Sequence, residues 1–389
     1  MKRIILFILA FSIILFCYSG SICCFAEGKS AQERLEEEVD KSIEDLELDE
    51  FEAYAKDLEI FYNSGGIKEF VKNLTNGDIT LTPEYVFKMC FSSLTKGLTS
   101  VIPSLIGIVL IAILFGLLFG LTQNYMKKQT VDIVYFVCYS TIITTVVAIV
   151  SGLVKDVTQT VELLSNTVNA VYPPLITLLT AVGGGTSSGL FNPGLAVVGT
   201  LASNVITKSI IPIFIASIVF GIVGNISANV KLDRLQSATR FIGGTIMTLT
   251  FGGLISYLSI SGLIGGVIDS TSVRATKYLV SNYVPIVGGY LSQGVDLVRY
   301  GMIIVKNALG VSGIIAVLSI ILTPVAKLTA LTIGLKLTAG IIEPITDKRM
   351  SGFINGIAES VRQLLGAVLG VGFVFILTLA LILFTLNSI

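Results

Sequence analysis

The chain has 389 residues, of which 53% are hydrophobic and 13% are charged. Soluble domains carry roughly 25% charged residues, so this composition indicates a membrane protein. Histidine is absent, which removes the usual general base and metal ligand, so we expect no enzyme activity, no metal and no cofactor.

The charges are unevenly distributed along the chain. Lysine plus arginine and aspartate plus glutamate each total 26, but residues 27–96 hold 17 acidic and 8 basic residues, whereas residues 97–389 hold 9 acidic and 16 basic ones. The basic residues are scattered in short segments between apolar runs, and no basic face of the kind that binds nucleic acid is formed. The expected partner is membrane lipid, with no nucleic acid.

The first 26 residues have the layout of a secretory signal peptide. Lys2 and Arg3 precede an apolar run at 4–17, and small residues lead to Ala26 and Glu27, between which we place cleavage. An uncleaved membrane helix is the alternative, and a lipid anchor fits less well because no small residue precedes either candidate cysteine. In each case Glu27 emerges outside the cytoplasm.

Residues 27–100 are predicted to form a small, acidic, helical leader outside the cytoplasm. Apolar residues recur at helical spacing, and the runs are broken at Asn63-Ser64-Gly65-Gly66 and at Asn76-Gly77-Asp78. Pro83 is expected at the first position of a third helix. Because such a leader can bury only a small core, we expect it to pack on the membrane bundle or on a partner.

Residues 101–389 are predicted to form an all-α, polytopic membrane bundle of about six transmembrane helices. The segments long and apolar enough to span are 101–121, 133–153, 210–226, 241–268, 311–334 and 364–386. Between the second and third spans, 175–182 and 190–206 are apolar but interrupted by glycine and proline. We interpret that stretch as a re-entrant pair.

The distribution of basic residues sets the orientation. With the leader outside, the inside segments carry nine basic residues and the opposite segments carry six, as the positive-inside rule requires. If 190–206 spanned the membrane alone, every later segment would change sides and the rule would fail. The spans then form three hairpins, each with a basic inside turn.

The glycine- and proline-rich stretch is the candidate pore or gate. Irregular backbone at membrane depth is tolerated only where protein or water covers it. An ordinary outside loop is the equal alternative. The candidate residues are Pro173, Pro174, Gly183, Gly184, Gly185, Asn192, Pro193 and, in a similar position after a later span, Pro285.

Two further features concern chemistry. Gly185-Thr186-Ser187-Ser188-Gly189 matches the G-x-S-x-G pattern of serine hydrolases, but the chain has no histidine base. Lys327 is a charge inside an apolar span, where it costs at least roughly 2.5–3.5 kcal/mol unless it is paired or hydrated. We expect its side chain to extend towards the inside face, with a transport role as the alternative.

The order of several segments resembles the stage III sporulation protein AE family of endospore-forming Firmicutes. They are the signal peptide, the acidic leader, Tyr172-Pro173-Pro174-Leu175, Phe191-Asn192-Pro193-Gly194, Val230-Lys231-Leu232-Asp233-Arg234-Leu235 and Ile345-Thr346-Asp347-Lys348-Arg349-Met350-Ser351-Gly352. The resemblance covers the whole chain and includes no catalytic signature.

This resemblance implies a subunit of a channel or secretion-like complex between mother cell and forespore, in the mother-cell membrane around the forespore. It implies a requirement after engulfment for forespore development and late sigma-factor activity. The implied partners are the other subunits of the channel complex and a YidC-type insertase. The alternative function, independent of the resemblance, is a stand-alone secondary transporter with a site near Lys327.

Overall fold

A computed structural model describes residues 29–56, 58–62, 64–77, 83–125, 128–226, 232–283, 288–346 and 348–386, and the regular secondary structure in these ranges is entirely helical. The predicted signal peptide, with its cleavage site at Ala26 and Glu27, lies outside the described residues. Pro285 also lies outside them.

Four short helices form the leader: α1 (Lys29–Glu44), α2 (Asp49–Ala55), α3 (Glu59–Tyr62) and α4 (Ile67–Asn76). Both predicted breaks are present, because Gly65 and Gly66 have φ of 82° and 111° and Gly77 ends α4 with φ of 78°. These are left-handed values that favour glycine. Phe61 packs edge-to-face against Phe51 and Phe70, with ring centroids 6.1 and 4.9 Å away.

The leader packs on the membrane bundle. Helix α1 crosses helix α10 (Gly288–Ile342) at Gly301, where Leu35, Glu38 and Val39 lie within contact distance of a side chain built at the glycine. Helix α4 also contacts α10, and α2 contacts α6 (Lys128–Ala181). Contact with the bundle was one of the two arrangements expected for so small a core.

The bundle comprises α5 (Pro83–Tyr125), α6, α7 (Gly185–Val205), α8 (Ile211–Ile226), α9 (Asp233–Tyr283), α10 and α11 (Lys348–Phe384). Helix α5 begins at Pro83, as predicted, and runs without a break across the expected end of the leader. Helices α7 and α8 are joined by one π-helical turn, Ile206–Ile210, so that they form one continuous rod. Within the described residues, six rods are therefore long and apolar enough to cross a membrane, which confirms the predicted number.

The predicted re-entrant pair has a different backbone from the one we expected. Its two arms are helical and are continuous with the neighbouring spans, because α6 runs through Pro173 and Pro174 to Ala181 and α7 starts at Gly185. Proline is tolerated inside membrane helices where neighbouring groups satisfy the freed carbonyls. The irregular backbone is thus confined to the turn between α6 and α7.

Neighbouring rods alternate in direction, as the predicted orientation requires. Tyr135 and Tyr139 near the start of α6 donate to the carbonyls of Asn225 and Ile222 near the end of α8. Arg349 near the start of α11 also lies over the Tyr135 ring, 4.2 Å from its centroid, so the start of α6, the end of α8 and the start of α11 share one end of the bundle. This is the end that carries the predicted basic inside turns.

The apolar surface reaches different heights on the two sides of the bundle. On α6 the apolar run ends near Leu153, and the exposed residues above it include Gln159, Glu162 and Asn166. On α9 the run without charges continues to Ile268, which lies level with the start of α7. The start of α7 adjoins the end of α6, and this end is 28 residues, or about 40 Å, beyond Leu153. A flat bilayer can cover both surfaces only if the helices are inclined to the membrane normal.

Candidate functional site

The turn between α6 and α7 contains the predicted glycine-rich segment. Gly183 has φ of 97°, Gly184 precedes α7, and Gly185 is the first residue of that helix. Asn192 and Pro193 lie within α7, so the structure places the candidate residues 173–193 on two helices and one tight turn. The G-x-S-x-G segment forms the first turn of α7.

Two charged side chains from other helices hold this turn. Asp269 of α9 is 2% exposed, and its carboxylate accepts hydrogen bonds from the backbone N–H groups of Thr186 (2.9 Å) and Ser187 (2.7 Å). Arg299 of α10 donates from Nε to the carbonyl of Val182 at 2.9 Å. A carboxylate thus meets the electropositive start of α7, and a guanidinium meets the electronegative end of α6.

Sequence reasoning identified only part of this arrangement. The glycine-rich turn was predicted, but Asp269 caps α7, a helix far from it in the sequence. Arg299 was not singled out. No periodicity links residues about 80 and 117 positions from the groups they bind, so no sequence signal could have paired them.

Lys327 is paired within the bundle. Its Nζ lies 2.5 Å from Oδ2 of Asp156 on α6, and the two side chains are 32% and 38% exposed. The charge of Lys327 is therefore paired with a carboxylate on the neighbouring helix α6. Gly97 lets α5 pack closely against α10 beside this lysine, since a Cβ at Gly97 would lie 2.9 Å from the backbone nitrogen of Lys327.

A buried lysine on α10 contacts the end of α11. Lys306 of α10 is fully buried and donates to the carbonyls of Leu383 (3.2 Å) and Thr385 (2.6 Å) at the end of α11. The ammonium therefore satisfies carbonyls that have no partner within the helix, where a cation is favoured. This residue positions α11.

A polar groove lies between α9 and α11, near the end of the bundle that carries the basic turns. Arg240 spans the groove by donating to the carbonyl of Gly356 (3.0 Å), and Gln363 donates back to the carbonyl of Arg240 (3.2 Å). Glu359 forms ion pairs with Lys336 (2.6 Å) and Arg362 (3.0 Å). Four cationic side chains and two carboxylates line the groove, so its net charge is positive.

The groove consists of two cavities, of about 520 and 390 Å³, that share Arg240 and Glu359. Arg240 and Arg362 are two of the nine basic residues in the predicted inside segments. Gly352 and Gly356 have the G-x-x-x-G spacing that favours close helix packing. Gly356 does pack closely, against Gln236 of α9, whereas the space beside Gly352 is open. The positive charge and open space suit the binding of an anionic group.

Within the ranges that the structure describes, no group of three or more histidine, cysteine, aspartate or glutamate side chains could hold a metal ion. The described residues form two polar features. One is the turn between α6 and α7, which Asp269 and Arg299 hold, and the other is the cationic groove between α9 and α11.

Comparison with known proteins gives a consistent family assignment. The chain is 23% identical to stage III sporulation protein AE of Bacillus subtilis (strain 168) over an alignment of 358 residues. The alignment covers 90% of this chain and 89% of that protein. No solved structure matches the chain. The family model for stage III sporulation protein AE matches residues 66–385, from the last leader helix to the end of α11. The chain therefore belongs to the stage III sporulation protein AE family and is a polytopic helical membrane protein with a role in sporulation.

Proposed function

We propose that this protein is a membrane subunit of a channel or secretion-like complex between mother cell and forespore. It resides in the mother-cell membrane around the forespore, and after engulfment it is required for forespore development and late sigma-factor activity. Family membership over residues 66–385 carries the proposal. In this role the protein is not an enzyme.

The leader is the proposed contact surface for other subunits of the complex. Its apolar side is occupied by its own core and by the bundle, whereas several carboxylates face outwards. Exposed acidic residues on α1 and the segment after it include Glu36, Glu37, Glu44, Asp45 and Glu47. A surface of one charge favours a partner of opposite charge and increases the rate of encounter.

The proposed gate is the turn between α6 and α7. It is held by Asp269 and Arg299 through contacts with helix ends, so movement of α9 or α10 would release it. Pro173 and Pro174 lie in the last turns of α6 and provide a site where that helix can bend. Pro193 of α7 is part of the same proposal, and Pro285 is included from its sequence position alone.

A YidC-type insertase is the proposed assembly partner. The chain must translocate an acidic leader and insert the six long apolar rods of its described part, two of which contribute Asp156 and Lys327 to an ion pair. Inserting charged residues into lipid before their partners are in place is costly. Depletion of the insertase should therefore lower the amount of this protein in the membrane.

Deletion of the gene in its host tests the proposal. Sporulation, a late forespore sigma-factor reporter and vegetative growth are scored together, with the wild-type gene restored at a second locus as the control. We expect a block after engulfment, a silent reporter and normal growth. A nutrient or growth defect with normal spores would instead support the stand-alone transporter, for which the ion pair at Lys327 is the candidate site.

Charge reversal on the leader tests the proposed contact surface. Replacing Glu36, Glu37 and Glu44 by lysine should leave membrane insertion unchanged, because these side chains are exposed, but should reduce recovery of the partner subunits by pull-down. Replacement by glutamine is the control for charge sign and should have a smaller effect. Full recovery of partners with the lysine variant would contradict the proposed role of the leader.

A further inference from the structure

The groove between α9 and α11 lies where the surface of this side of the bundle changes from charged to apolar. Below it are the basic residues near the starts of α9 and α11. Above it, α9 has no charged residue from 241 to 268, and Phe241, Leu249 and Leu263 are 75%, 71% and 70% exposed. On a membrane protein this boundary marks the level at which lipid headgroups meet hydrocarbon.

The groove is lined by more cationic than anionic side chains. Arg240, Arg362, Lys348 and Arg349 line it together with the carboxylates Asp233 and Glu359. Glu359 is already neutralised, since it pairs with Arg362 and also with Lys336 on α10. The remaining cationic excess favours an anionic ligand, and basic pockets between membrane helices on the cytoplasmic side are known to bind anionic headgroups.

Two side-chain amides that line the groove each have a buried atom without a hydrogen-bond partner. Gln236 is 5% exposed, lines the inner cavity, and its Nε2 has no hydrogen-bond acceptor. The buried Oε1 of Gln363, which lines the outer cavity, has no donor. Buried polar side chains are usually satisfied, so unpartnered groups beside a cavity are expected where a polar ligand or water binds.

The shape of the outer cavity suits a lipid. Its lining includes the charged or polar side chains of Arg240, Arg362, Glu359, Gln363 and Thr248 together with Phe241, Met247 and two glycines. Gly244 has no atoms near the position of a Cβ, so an acyl chain can lie against the α9 backbone there. One cavity therefore combines two arginine side chains with an open apolar surface.

We propose that this groove binds an anionic phospholipid of the cytoplasmic leaflet. The phosphate lies between Arg240 and Arg362, the remainder of the headgroup extends towards Gln236, and an acyl chain follows Phe241 and Met247 along α9. The bound lipid fixes the spacing of α9 and α11 on this side of the bundle. This inference is independent of the proposed role in sporulation.

The test is lipid retention by the full-length protein. The protein is reconstituted in phosphatidylcholine with or without phosphatidylglycerol, extracted in a neutral detergent and weighed with its bound lipids by native mass spectrometry. We compare Arg240→Gln/Arg362→Gln with Lys208→Gln/Arg274→Gln, a pair that removes the same charge elsewhere. The groove variant should retain phosphatidylglycerol on the order of tenfold less strongly, whereas the control retains it as wild type does.

Several outcomes would overturn the proposal. One is equal loss of phosphatidylglycerol in both double variants, which would indicate general electrostatic attraction. Another is displacement of the lipid by inorganic phosphate, which would indicate a site for a free anion. Because Arg240 also bonds to Gly356, Arg362→Gln alone serves as a second variant, with circular dichroism to verify the helices. Unchanged retention by a folded Arg362→Gln protein would also contradict the site.

Discussion

Replacing Asp269 by alanine should open the turn between α6 and α7. The substitution removes the acceptor of two charge-assisted hydrogen bonds, from Thr186 and Ser187, at a side chain that is 2% exposed. Each such bond contributes about 1.5–3 kcal/mol, and because the two share one carboxylate we expect a combined loss of about 3 kcal/mol. The open state of the first turn of α7 should then be populated on the order of 100-fold more.

Hydrogen exchange measured by mass spectrometry on the detergent-solubilised protein reports this opening directly. Peptides covering 184–191 should exchange on the order of 100-fold faster in Asp269→Ala, and Asp269→Asn should give a smaller increase because its amide oxygen still accepts one bond. The control is Asp296→Ala, which removes a carboxylate whose partner Lys277 is half exposed and should cost less than about 1 kcal/mol. Equal exchange in the Asp269 and Asp296 variants would refute the conclusion that Asp269 holds the first turn of α7.

The further predictions concern three contacts in the bundle. Asp156→Asn and Lys327→Met should each lower thermal stability, and the double variant should be no worse than the poorer single one, since the pair is 2.5 Å apart; simple additivity would contradict the pairing. Lys327→Met should still insert and retain partial function, and complete loss at normal abundance would favour transport. Gly97→Ala should separate α5 from α10, because its Cβ would lie 2.8 Å from a neighbouring side chain, whereas Gly107→Ala meets nothing and should be neutral; cysteine cross-linking between the helices measures this, and equal yields would count against it. Lys306→Met should leave two carbonyls at the end of α11 without their donor and increase proteolysis there; unchanged cleavage would contradict its positioning role.

The local signals that the sequence carries were sufficient for the class of fold. Long apolar runs predicted six spans because a bilayer requires about 20 apolar residues per helix. The glycines at 65, 66 and 77 predicted the leader turns, and Pro83 predicted the start of α5, because these residues restrict the backbone where they stand. The family resemblance also depended only on the order of segments along the chain.

Tertiary structure alone decided which charged groups meet. Asp269 with the start of α7, Lys327 with Asp156, and Arg240 with Gly356 are pairs separated by at least 82 residues. Sequence periodicity places a side chain on a face of its own helix, but the register between helices is set by packing at positions such as Gly97 and Gly356. Pro173 and Pro174 illustrate the same limit, since they suggest an interruption locally, whereas the surrounding helices keep α6 continuous. Apolar runs therefore determine that this chain enters the membrane, and interhelical packing determines where its polar groups are satisfied.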